Sequence, residues 1–232
     1  MENLLKFPAT SFVDKLIPKA QFVKASATPT AVRSLLADEF EQIRLVYVLR
    51  PDTLNVGEGE EVKEIDVFFF RCKSDRYSIN PFCGLDNLIP RHTLYIIQHG
   101  NATDLLMQHK SRSIVAGVPK WKREVSHLLK DIDLSTTPLR VEGANLDRVY
   151  FNLLSQMAGY RIDNAAAIAE IKELETRLAK MRREAEALQK RVRNEKQFNK
   201  QIELNTQARA LKRSISELEA QLSNLKNSKQ NI

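Results

Sequence analysis

The stretches IKELETRLAKMRREAEALQKRV, residues 171–192, and LNTQARALKRSISELEAQLSNL, residues 204–225, decide the fold of the C-terminal third of the chain. In the first, Ile171, Leu174, Leu178, Met181, Ala185, Leu188 and Val192 recur at alternating spacings of three and four. Leu204, Ala208, Leu211, Ile215, Leu218, Leu222 and Leu225 do the same in the second. Such spacing lays one apolar seam along a helix, the pattern of a coiled coil. The two registers are out of phase, which a stutter in one long helix or a turn between two helices would explain. The spacings mirror each other about Phe198, so that Ile171 is matched with Leu225, Leu178 with Leu218 and Val192 with Leu204. An antiparallel hairpin needs this mirror, because both seams must stay level as they leave the turn. A stutter gives no reason for it. Residues 160–232 are therefore expected to form an antiparallel coiled-coil helical hairpin with its tip near 195–201. The seam-bearing part of each arm would extend about 30 Å at 1.5 Å per residue.

The tip has no glycine; Asn199 is the residue best suited to a left-handed turn. Phe198 has two readings. It folds back over the last seam layer, or it stands exposed for a partner.

Charge follows the same division. Residues 1–160 carry 20 Lys and Arg against 19 Asp and Glu, whereas residues 161–232 carry 16 against 10. Twelve cations lie between Thr176 and Ser216, opposed by Glu184, Glu186, Glu195 and Glu203. Those placed near the tip are Arg182, Arg183, Lys190, Arg191, Arg193, Lys196, Lys200, Arg209, Lys212 and Arg213. The seam uses none of them. Such a surface suits phosphates or an acidic partner. It is equally the ordinary charged exterior of a coiled coil.

Residues 1–159 read as an α+β domain, a small antiparallel or mixed sheet with flanking helices. Helices are expected at Thr10–Ile17, from a cap at Thr28-Pro29, at Ser78–Leu88, at Lys122–Lys130 and after Asn145. Strands are expected at Glu41–Leu49, at Val62–Arg71 and in a hairpin of Thr93–Gln98 with Thr103–Gln108 turning at Gly100-Asn101. Pro138–Val141 reads as a short strand or an extended link. The order α-β-β-α-β-β-α suggests helices on one face of the sheet. Gly159-Tyr160 marks the border, beyond which neither glycine nor proline occurs.

Several function classes find no support. No apolar run approaches the roughly 20 residues of a membrane span. Met1–Phe7 does not read as a secretory signal. Cys72 and Cys83 form neither a CxxC pair nor a disulfide framework, so a reduced, cytoplasmic protein is the simplest reading. No glycine-rich phosphate loop, GxSxG motif or Cys-His arrangement occurs, and no cofactor is expected. His92, His99, His109 and His127 lack zinc-site spacing and read as scattered surface residues, so no metal ligand is assigned. Trp121, between Lys120 and Lys122, reads as a core or hinge residue, or as a platform for a nucleobase.

One catalytic pattern remains. Glu61-Val62-Lys63 has the E-x-K spacing of a Mg²⁺-dependent nuclease strand, where an acid holds the metal and a lysine supports the attacking water. Asp66, Asp52 or Glu39 would supply a further acid. The competing reading makes Glu58–Glu61 a solvated acidic loop and Glu64 and Asp66 a solvent-facing row on their strand.

The stretches Tyr47–Asn55 (YVLRPDTLN), Val62–Phe68 (VKEIDVF), Asp86–Pro90 (DNLIP) and Glu195–Asn205 (EKQFNKQIELN) resemble those of a bacterial family, domain of unknown function 4391. The resemblance covers most of the chain on short motifs and carries no assigned activity. Such proteins tend to be encoded beside helicases and DNA methyltransferases of restriction-like, phage-defence systems. It therefore implies a helicase or methyltransferase partner and a role near DNA. The first expectation is a non-enzymatic accessory subunit whose basic arm contacts nucleic acid or a partner. The alternatives are the small nuclease and an oligomerising adaptor that binds no nucleic acid, its hairpins pairing into a four-helix bundle.

Overall fold

The computed structural model describes residues 5–23, 30–115, 118–136 and 139–227. The chain divides into two compact units, Met1–Gly159 and Tyr160–Ile232.

The first unit is a mixed α/β fold built on one six-stranded sheet. Its strands are β1 (Phe12–Leu16), β2 (Phe40–Leu49), β3 (Ile65–Cys72), β4 (His92–His99), β5 (Ala102–Val115) and β6 (Val118–Leu129), lying side by side in chain order. Its helices are α1 (Lys19–Val23), α2 (Thr30–Asp38), α3 (Pro51–Leu54), α4 (Asn80–Leu88) and α5 (Leu146–Ala158). Every neighbouring pair is antiparallel except β3 with β4. A parallel pair needs a crossover, and α4 supplies it. On this face α2 packs on α4 so closely that a Cβ on Gly84 would come within 2.6 Å of Val32. Beneath them Phe40, Phe68, Phe70, Phe82 and Tyr95 join the aliphatic core.

The opposite face is covered by α5. On β5, His109 meets Tyr150 and Phe151 of α5, while its neighbour Lys110 reaches back to α4. Successive strand residues point to opposite faces, so helices flank both sides of the sheet, not one. That explains the run Val67-Phe68-Phe69-Phe70, buried throughout: a strand covered on both faces loses its polar alternation.

Two expected helices are strands. In place of a helix at Thr10–Ile17, a short turn of 3-10 helix (Ala9–Ser11) leads into β1, which takes the free edge of β2, pairing Phe12 with Tyr47. Asp14, in a left-handed conformation, bulges out to meet Arg44 at 2.6 Å. In place of a helix at Lys122–Lys130, β6 pairs along β5 from Leu129 to Val118. The spacing of Val125, Leu128 and Leu129 fits either state, and the long free edge of β5 selects the strand. The Thr28-Pro29 cap falls outside the described residues. So does the start of Pro138–Val141, of which Leu139–Val141 belong to no helix or strand.

Asn145 caps α5 by accepting from the Arg148 N–H at 3.0 Å, and Gly159 ends it at φ 75°. Asp147, in the first turn, anchors the loop before β3 by accepting from the backbone N–H groups of Glu60, at 2.7 Å, and Val62, at 2.8 Å.

The second unit is a pair of helices, α6 (Ala165–Asn194) and α7 (Phe198–Asn227), packed along each other. Each has 30 residues, about 45 Å at 1.5 Å per residue. Asn164 caps α6 through the Ala167 N–H at 2.9 Å. Glu175 meets Lys226 at 2.8 Å and Arg182 meets Glu219 at 2.6 Å. Seven residues forward on α6 are seven residues back on α7, so the helices run antiparallel. Ile171, Leu178 and Ala185 are buried on α6, Ala208 and Leu218 on α7. No helix among the described residues is long and apolar enough to cross a membrane.

Candidate functional site

The turn between α6 and α7 is Glu195-Lys196-Gln197, shorter than the 195–201 expected, and Phe198 already begins α7. Asn199 is helical. Glu195, at φ −76° and ψ 125°, leaves α6 in an extended conformation, and its carboxylate accepts from the Gln197 N–H at 2.9 Å. Gln201 donates to the Val192 carbonyl at 3.2 Å and ties the two helices together. Phe198 does not fold over the seam; it is 72% exposed, with Ile202 half exposed one turn further on.

Around this end Arg183, Lys190, Arg191, Arg193, Lys196, Lys200, Arg209, Lys212 and Arg213 are exposed, and among the described residues none of them is held in an ion pair. Arg182 is exposed too, but it is engaged by Glu219. A groove of about 280 Å³ crosses from helix to helix, lined by Gln189, Arg193, Asn205, Arg209 and Lys212. Helix dipoles sort these cations. Arg191 and Arg193 lie in the last turn of α6, where positive charge is stabilising. Lys200 lies in the first turn of α7, which holds no acid, where the dipole is positive and repels it. Lys196 sits in the turn between the two helix ends.

The E-x-K residues fall elsewhere. Glu61 and Lys63 sit in the exposed loop before β3, where Lys63 donates to the Gly59 carbonyl at 2.8 Å. Asp66 does not face solvent; it is 1% exposed within β3, on the α4 side of the sheet. Arg91, itself half exposed, bridges it at 3.0 Å to Glu64 at 3.1 Å. Burial pushes the Asp66 carboxyl up to about 6 against the pull of Arg91. The signal was in the sequence: an aspartate leading an unbroken apolar strand goes where the strand goes. Asp52 is exposed, paired with Arg50, and Glu39 accepts from the Ser78 N–H.

Beside Asp66 lies a buried polar network. The Lys110 ammonium donates to the carbonyls of Asp86, at 2.7 Å, and Ile89, at 2.8 Å, and lies 3.3 Å from the Asp86 carboxylate. All three of its protons are thereby used. Asp86 also accepts from Thr93 and, at 2.8 Å, from Tyr95. Burial raises the Asp86 carboxyl and lowers the Lys110 ammonium, and each charge pulls the other back. Trp121 covers Lys110 with its ring centre 5.3 Å from the ammonium, which makes it a packing residue here.

On the other face His92 and His109 are buried and stacked, with ring centres 6.2 Å apart. They are not surface residues. Burial holds them neutral, His92 down at about 3 and His109 at about 4. Tyr150 lies 2.9 Å from His109. His99, Asp104 and Asp131 form a further grouping, with ligand atoms within 4.8 Å of one another. Asp104 is already committed there to the Tyr77 hydroxyl at 2.5 Å and the Asp131 N–H at 2.9 Å.

No curated protein and no solved structure matches the chain. The model of one family, described as a domain of unknown function (DUF4391), matches residues 5–218, and the chain belongs to that family.

Proposed function

We propose that the protein is a non-enzymatic interaction subunit of a DNA-processing or phage-defence assembly, and that the basic end of its helical hairpin contacts nucleic acid. One observation carries this reading. Lys200 is exposed, has no ion-pair partner among the described residues and lies in the first turn of α7, where the helix dipole repels it, so hairpin stability does not account for it. A phosphate at that end would reverse the sign of the interaction, and the groove lined by Arg193, Arg209 and Lys212 extends the same field. Phe198 adds an apolar contact among the cations. The α+β unit would dock the protein partner, a helicase or methyltransferase in the reading taken from the family resemblance.

The test is binding of the full chain to a labelled DNA duplex across a salt series. Affinity should fall linearly on logarithmic axes with a slope of about −0.9 per phosphate neutralised. Four contacts would then give, between 50 and 200 mM salt, a loss on the order of a hundredfold. Reversing Arg191, Arg193, Lys196 and Lys200 to Glu should weaken this binding at least tenfold and leave helicity unchanged. Salt-insensitive binding, or full binding by the reversed variant, would show that the basic end is only a solvated exterior and overturn the hairpin contact, and no binding by the unaltered chain would leave the oligomerising adaptor as the better account.

A further inference from the structure

The strands β5 and β6 outrun the sheet. Pairing with β4 ends at Met107, whereas β5 stays paired with β6 as far as Val115 opposite Val118. β6 is the last strand of the sheet. Over Ser111–Val115 and Val118–Lys122, therefore, the two strands have only each other as ladder partners among the described residues. Five residues at about 3.4 Å each give the ribbon a reach of about 17 Å. Its root is fixed, since Trp121 packs on Lys110 and on His92, and Ser111 donates to Glu124 at 3.0 Å.

Its composition is one-sided. Residues 111–123 include Arg112, Lys120, Lys122 and Arg123 and no acid. Arg112 is exposed, and Lys122 is 71% exposed although it lies 3.6 Å from Glu124. Lysines on an edge strand can serve merely to block strand addition. That account does not cover Ile114, which is 74% exposed beyond the cations. Arg112 and Ile114 share one face of β5, with Trp121 across from Arg112; Ser111 and Ser113 share the other, with Lys122 across from Ser111.

The geometry points to a second nucleic-acid contact in this protein, in which the β5–β6 ribbon enters the major groove of duplex DNA. A two-stranded ribbon is one of the two elements that fit that groove, roughly 12 Å wide and 8.5 Å deep, and the ribbon's reach exceeds the depth. Arg112 and Lys122 meet the phosphates of the groove walls, and Ile114 leads toward the base edges, where a thymine methyl offers an apolar partner. The deep, narrow major groove of an RNA duplex excludes the ribbon. The site lies in the α+β unit and stands independently of the hairpin.

The experiment compares the full chain, R112E/K122E, the neutral R112Q/K122Q and the hairpin charge-reversal variant on a 20-base-pair DNA duplex and on the same duplex in RNA. The ribbon variants should melt like the wild type, bind the DNA duplex at least tenfold more weakly, and lose close to two units of salt slope, at about 0.9 per phosphate. RNA binding should be unaffected by them. I114S should weaken DNA binding with the salt slope intact. An unchanged affinity and slope in both ribbon variants, or an equal loss on RNA, would overturn the ribbon contact whatever the hairpin does. If the hairpin variant still binds DNA and the ribbon variants do not, the ribbon stands and the hairpin reading fails.

Discussion

Replacing Lys110 with methionine should show what the buried network does. Methionine fills much the same volume and removes the charge. Three interactions go with it: the Asp86 carboxylate at 3.3 Å and the carbonyls of Asp86 and Ile89 at 2.7 and 2.8 Å. Stripping one partner from a buried ion pair costs roughly 3–5 kcal/mol, because the other charge stays buried. Asp86 keeps Thr93 and Tyr95 as donors, so a loss near the lower end, about 3 kcal/mol, is expected. Urea unfolding followed by fluorescence should reveal it, since the single tryptophan, Trp121, lies against this very ammonium. The midpoint should fall with little change in the denaturant slope. Adding Asp86→Asn removes the stranded charge and should restore about a third of the loss. The two carbonyls still lack their donor, at about 1 kcal/mol each, so recovery stays incomplete. If Lys110→Met costs under about 1 kcal/mol, or the second substitution deepens the loss, Lys110 and Asp86 do not act as a structural ion pair.

Acid should destabilise the α+β unit. His92 and His109 have folded values depressed to about 3 and 4, so their stability is present above the unfolded value of about 6.5 and lost as pH falls. Asp66, raised to about 6, acts in the opposite direction, since it takes up its proton in the folded state first. From pH 7 to pH 5 the histidines cost about 4 kcal/mol and Asp66 returns about 1, a net loss of roughly 2 to 3 kcal/mol. Urea midpoints at the two pH values check this, and a midpoint that holds or rises at pH 5 contradicts it. In the second unit, cysteines at Leu178 and Leu218, both buried, should crosslink within one chain on oxidation. Crosslinks found only between chains would mean that the helices pair between molecules.

What was legible in the sequence depended on whether the deciding partner was near in the chain. The β4–β5 hairpin could be read from its turn, and the pairing of α6 with α7 from mirrored spacing, because each carries both partners in one contiguous pattern. The mirror set the direction of pairing but not where the chain leaves the helix, for no glycine or proline marks Glu195–Gln197, and Phe198 was left on the wrong side of that boundary. β1 and β6 were misread for a different reason. Each is a strand because a distant edge, that of β2 or of β5, was waiting for it, and the apolar spacing of β6 suits a helix equally well. The buried histidines were within reach. Pairing Leu94 with Met107 fixes the register, and carrying it two residues further puts His92 opposite His109, although their spacing along the chain carries no zinc signature. Asp86 and Lys110 had no such signal, since a helix and a strand 24 residues apart meet only once the crossover is folded. The basic hairpin end was legible as charge, yet charge alone could not separate a solvated exterior from a contact surface. The helix directions add a distinction that charge lacks: a lysine is stabilising at the end of α6 and repelled at the start of α7, and Lys200 is on the repelled side.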